Sequence, residues 1–139
     1  MLNRSDGGAM AHSLVVDDEP DMLLLLRMLL DQKTNHQVDC AGSGLEARQM
    51  LSEHPYDLVI TDMRMPDLEG LELMALTRGS DPALPFIFVT GFGSVECAVE
   101  AVRKGAFDYI TKPFRQEQLL LAIERALAWR EAASLTHMS

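Results

Sequence analysis

Five short runs of β-forming residues, four of them ending in a polar side chain and each followed by a pattern of helical period, constrain this chain more than any other feature. LVV at 14–16 stops at Asp17-Asp18. Pro20 then suits the first turn of a helix, where its missing amide hydrogen is not needed, and Met22, Leu25, Leu26 and Leu29 follow at helical spacing. QVDC at 37–40 is a weaker run, after which Ser43 can cap a helix carrying Leu45, Met50 and Leu51. The third run, LVI at 58–60, ends at Asp62, and Gly70 begins a short helical stretch through Leu71, Met74 and Leu76. PFIFVT at 85–90 is apolar until Thr90, as a parallel strand covered on both faces should be. Ser94 can cap the next helix, with Val95, Ala98, Val99 and Val102 on its inner side and Gly105 closing it. DYIT at 108–111 precedes Lys112, and the final helix from Gln116 carries Leu119, Leu120, Ile123 and Leu127.

Strands alternating with helices imply an α/β domain, a (βα)5 three-layer sandwich whose five-stranded parallel sheet has helices on both faces and right-handed crossovers. A length of 139 residues suits one such domain. Residues 14–128 are expected to form it. Residues 1–13, MLNRSDGGAMAHS, are expected to be a disordered lead-in or tag remnant, and residues 129–139 a tail or the start of a linker.

Several function classes drop out on composition. Twelve Lys and Arg against 21 Asp and Glu give a formal net charge of -9, which excludes nonspecific binding of nucleic acid or an anionic membrane as the chain's own task. Cys40 and Cys97 have no metal-type spacing and form no disulfide framework. The longest apolar stretch, MLLLLRMLL at 22–30, is broken by Arg27 and is too short to span a bilayer. The first thirteen residues lack the apolar core of a secretory signal. A reducing, cytoplasmic setting is the expectation.

In open parallel sheets the functional crevice lies beyond the carboxyl ends of the strands. Those ends carry Asp17 and Asp18, Asp62, Thr90 and Lys112. If the first and third strands are neighbours, about 4.8 Å apart, three carboxylates converge on one small site. At that separation and an effective dielectric near 20, each like-charged pair costs about 3 kcal/mol. A hard divalent cation offsets the repulsion, and Mg²⁺ fits best because it takes a few carboxylates, keeps waters and leaves room for a phosphoryl group. Singly, these residues have plainer readings: Asp18 as a helix cap, Thr90 as a strand residue, Lys112 as a solvated charge. Asp62 does not, because its strand is apolar and the next helix starts several residues later.

Two other functions compete. An aspartate-nucleophile phosphatase of the haloacid dehalogenase type wants a second acid two residues after the nucleophile, where this chain has Arg64. A flavin-binding module would need the loop after the first strand to cradle a phosphate, which Asp17-Asp18-Glu19 would repel.

At VVDDEP (15–20), VITDMRMPDLEG (59–70), VTGFGS (89–94) and KGAFDYITKPF (104–114) the chain resembles the receiver domain of two-component response regulators. The stretch TGFGSVECAVEAVRKGAFDYITKPF is similar to receivers of nitrogen-regulatory and dicarboxylate-transport regulators, which are sigma-54-dependent. The resemblance implies a flavodoxin-like fold with strand order 2-1-3-4-5. It implies Asp62 as phosphoacceptor, charged by a sensor histidine kinase, with Mg²⁺ held by Asp17, Asp18, Asp62 and the backbone carbonyl of Arg64. Thr90 and Lys112 would contact the phosphoryl oxygens, Thr90 and Tyr109 would form the switch, and the Lys112-Pro113 peptide would be cis. On the same ground the chain is expected to be a regulatory phosphoacceptor, promoting only its own phosphorylation and dephosphorylation. A homodimer through the fourth helix, fifth strand and last helix would follow. The output domain that acts on transcription would lie outside this chain, which has no G-x-x-x-x-G-K-[ST] loop.

Overall fold

The structure, a computed structural model, describes residues 10–91 and 95–138, with side chains as far as residue 133. Its elements in chain order are β1 (His12–Val16), α1 (Pro20–Lys33), β2 (Gln37–Ala41), α2 (Gly44–Glu53), β3 (Leu58–Thr61), α3 (Gly70–Arg78), β4 (Phe86–Thr90), α4 (Val95–Arg103), β5 (Asp108–Thr111) and α5 (Gln116–Met138). All strands are parallel, in the order β2-β1-β3-β4-β5. The expected architecture and strand order are both found.

Strand alternation divides the apolar residues between two cores. Leu14, Val16, Val59, Phe86 and Phe88 face one layer, where Ala47 of α2, Leu73 and Met74 of α3 and Ala101 of α4 cover them. Val15, Leu58, Ile60, Ile87 and Val89 face the other, beneath Leu26, Leu29 and Leu30 of α1 and Leu119, Ala122, Ile123 and Ala126 of α5. The central strands β3 and β4 are buried along their whole length, which is why they read as unbroken apolar runs.

Local signals behave as their chemistry dictates. Pro20 opens α1, and Ser43 Oγ accepts the Glu46 amide at 3.1 Å at the start of α2. Gly105 closes α4 with φ +108°. Its amide donates to the Val102 carbonyl at 3.0 Å, and the Ala106 amide donates to that of Ala101 at 2.9 Å. These two bonds form a Schellman closure, whose left-handed residue favours glycine. The expected cap of α4, Ser94, lies outside the described residues.

Three expectations meet differences. β1 begins at His12, because His12 and Ser13 already pair with Gln37 and Val38 of β2; residues 1–9 of the expected lead-in are outside the described set. α5 continues past Trp129 to Met138, into the residues read as a tail. The inner face of α4 is also displaced: Ala101 is buried, while Val95, Val99 and Val102 are exposed, Val95 at 77%. At 100° per residue those valines lie at least a quarter turn from Ala101. α4 packs on the edge strand β5, which offers too narrow a strip of sheet to cover a wide apolar face.

At the amino end of the sheet, Arg130 fastens α5 to the body. Its guanidinium donates to both carboxylate oxygens of Asp81, at 2.7 and 2.8 Å, and to the Tyr56 carbonyl at 3.2 Å. Two parallel bonds of this kind fix orientation as well as distance. Trp129 lies against Phe107, ring centroids 6.0 Å apart.

Candidate functional site

Backbone pairing carries the chemistry-bearing residues to one edge. The Asp62 amide donates to the Val16 carbonyl at 3.0 Å, the Asp17 amide to that of Ala41 at 3.2 Å, and the Lys112 amide to that of Thr90 at 2.9 Å. The ladder therefore runs one residue beyond each strand and delivers Asp17, Asp62 and Lys112 in fixed orientation. Thr61 strengthens the turn, its buried hydroxyl donating to the Asp62 carbonyl at 2.9 Å.

Asp17, Asp18 and Asp62 each present a carboxylate oxygen, and the three oxygens lie within 4.8 Å of one another. Asp17 and Asp62 are buried, whereas Asp18 is exposed. Both buried acids divide their oxygens in the same way. One oxygen takes a backbone amide, that of Glu19 for Asp17 at 2.9 Å and that of Arg64 for Asp62 at 3.2 Å. The other takes the Lys112 ammonium, at 2.8 Å for Asp17 and 3.1 Å for Asp62. The peptide Lys112-Pro113 is cis.

Three carboxylates lie within 4 Å of this one ammonium, since Glu19 stands 3.6 Å from Lys112 Nζ beside Asp17 and Asp62. Burial pushes the Asp17 carboxyl up from its ordinary value, against the hydrogen bond and charge of Lys112. Burial also disfavours the Lys112 cation, but the hydrogen bond and charge of Asp17, then those of Asp62, outweigh it and hold the ammonium above its usual range. The donor set is all oxygen, converges from two strand ends and carries excess negative charge, so it fits a hard divalent cation such as Mg²⁺.

Thr90 ends β4, fully buried and paired with Thr111 of β5. Tyr109 sits opposite Phe88 in register and packs half-buried against the α2–α4 core. Burial first, then Cys97 and the charge of Asp62, push its hydroxyl pKa up. Arg64 is exposed. Asp17, Asp18, Asp62, Arg64, Thr90 and Lys112 thus lie at or next to the carboxyl end of the sheet, while Tyr109 lies within β5. The participation of Glu19 was missed, though its adjacency to Asp17-Asp18 was the available signal.

The profile of the response regulator receiver domain family matches residues 13–124. Among curated proteins, the transcriptional regulatory protein GlrR of Escherichia coli is 38% identical over 131 residues, covering 88% of this chain and 29% of that protein. The response regulator protein PilR of Pseudomonas aeruginosa is 39% identical over 123 residues, covering 85% and 26%. Of solved structures, a response regulator receiver domain protein from Clostridium thermocellum superposes with a TM-score of 0.83 at 32% identity, covering 89% of this chain and 99% of its own. NtrX from Brucella abortus, in complex with ADP, gives 0.85 at 33% identity, covering 92% of this chain and 29% of its own. The chain spans little more than a quarter of the curated relatives' length.

Proposed function

Because this chain belongs to the response regulator receiver domain family, we propose that Asp62 is its phosphoacceptor, charged by the phosphohistidine of a sensor histidine kinase. The observation that carries this reading is the meeting of Asp17, Asp18 and Asp62 within 4.8 Å while Lys112 pairs with the two buried ones. In the transfer, an Asp62 oxygen forms the bond to phosphorus as the bond from phosphorus to the histidine nitrogen breaks, and the imidazole leaves with the electron pair. Such displacements need positioning and charge neutralisation more than covalent assistance.

Each residue has a role that its position supports. The β3 ladder and the Arg64 amide orient the Asp62 carboxylate. Lys112 supplies a cation to the phosphoryl oxygens, and Thr90, at the end of the adjacent strand, a hydroxyl. Mg²⁺, held by Asp17, Asp18, Asp62 and the carbonyl of Arg64, would neutralise the anionic oxygens on the opposite side. Phosphorylation adds nearly two negative charges and three acceptor oxygens. Thr90 then turns toward them and Tyr109 turns inward, biasing α4 and β5 between two arrangements.

The readout proposed is a homodimer through α4, β5 and α5, a reading that the exposure of Val95, Val99 and Val102 supports. A separate output domain would convert it into sigma-54-dependent transcription. Among the described residues no helix is long and apolar enough to cross a membrane, and a cytoplasmic location is part of the proposal.

Acetyl phosphate or phosphoramidate with Mg²⁺, read by intact mass, tests the assignment. One phosphate on the wild type and none on Asp62→Asn is expected. An unmodified wild type, or a phosphorylated Asp62→Asn, overturns it.

A further inference from the structure

The start of α2 raises an accounting question, because the first amides of a helix lack intrahelical acceptors. Ser43 takes the Glu46 amide at 3.1 Å, and Glu46 returns an oxygen to the Gly42 amide at 2.8 Å. The remaining two donors are satisfied from elsewhere in the chain. Gly44 donates to Asp67 Oδ1 at 3.2 Å and Leu45 to Asp67 Oδ2 at 3.0 Å. Asp67 belongs to the loop that carries Arg64, and its Oδ1 also takes the Leu68 amide at 2.9 Å. These amides, that of Leu45 foremost, hold its carboxyl below the usual aspartate range.

Packing joins the same two segments independently. A Cβ on Gly44 would fall 2.3 Å from the Leu68 carbonyl oxygen and 2.7 Å from the Leu68 Cβ, so α2 meets the loop at a distance only glycine permits. The loop is also tied to the site through the Arg64 amide on Asp62, closed by the Gly70 amide on the Met63 carbonyl at 2.9 Å, and seated in the core by Met63, Met65 and Leu68. A serine already serves α2 locally, yet both oxygens of an exposed acid from the site loop are committed to the helix as well.

We propose that Asp67 is a positioning residue for the acidic site: by capping α2 it mounts the loop between Asp62 and Gly70, and so sets the affinity for Mg²⁺. The inference rests on the phosphoacceptor reading above. Outer partners that orient metal ligands typically change metal affinity tenfold or more when removed.

The test compares the 139-residue wild type with Asp67→Ala, Asp67→Asn and Gly44→Ala, using Mg²⁺ calorimetry and metal-free amide exchange at a temperature where urea melts show each variant folded. Asp67→Ala should weaken Mg²⁺ binding roughly tenfold and speed exchange at Gly44, Leu45 and Leu68 while β3 and β4 stay protected. Asp67→Asn, which keeps one acceptor oxygen, should fall between. Gly44→Ala should weaken binding from the opposite partner. Faster exchange with unchanged Mg²⁺ affinity overturns the inference, as does unchanged exchange at Gly44 and Leu45. A wild type that binds Mg²⁺ no better than Asp18→Asn overturns the metal-site reading itself, a result separable from failure of the cap.

Discussion

Lys112 holds together two buried acids that would otherwise repel each other, with only 14% of its side chain exposed. Removing one partner of such a group leaves uncompensated charge, which typically costs about 3 kcal/mol or more. Lys112→Met should therefore lower metal-free stability by about 3 kcal/mol at pH 7 in urea melts, and Mg²⁺ should restore part of it. In the middle of β2, Asp39 receives the Tyr56 hydroxyl at 2.7 Å, and His12 Nε2 lies 2.8 Å from the same oxygen. Burial acts to raise the Asp39 carboxyl, but these hydrogen bonds prevail and hold it below its ordinary 3.8. An acid depressed in the folded state contributes stability that is present above pH 3.8 and is lost as pH falls through the folded value. As pH is lowered from 6 to 3, urea midpoints should fall less steeply for Asp39→Asn than for wild type. The residues of the acidic site were legible because each stands where an apolar run stops. Asp67 and the Arg130–Asp81 pair were not, since nothing near an exposed acid in the sequence names the distant amide or guanidinium it will meet.

At the scale of elements, the ends of helices were easier to read than their faces. Pro20, Ser43 and Gly105 act through local chemistry and needed no knowledge of neighbours. Gly105→Ala would force a side chain to φ +108°, with its Cβ 3.3 Å from the Arg78 guanidinium. A cost of about 1–2 kcal/mol in urea melts, with unchanged denaturant dependence, is expected. The face of α4 was misread because periodicity reports an apolar stripe without saying how much sheet lies beneath it. The length of α5 was misread for a related reason: WREAASLTHM after residue 128 has helical propensity but no apolar period to mark it.

On the scale of the molecule, layers and crossovers followed from alternation alone, whereas the strand order needed the resemblance, because no local pattern says which strand lies beside which. The proposed dimer belongs to this scale. Light scattering with beryllofluoride and Mg²⁺ should show the wild type doubling in mass and Val99→Glu, altered at an exposed position, remaining a single chain. An unchanged wild-type mass would remove dimerisation as the readout. One consequence concerns α5, which starts beside Lys112, is gripped by Asp81 at the amino end of the sheet and continues to Met138. Its 23 residues make a rod about 34 Å long. Pinned at Arg130 and extending about 12 Å beyond it, it behaves as a lever arm: a tilt of about 10° about that grip would swing its tip by roughly 2 Å.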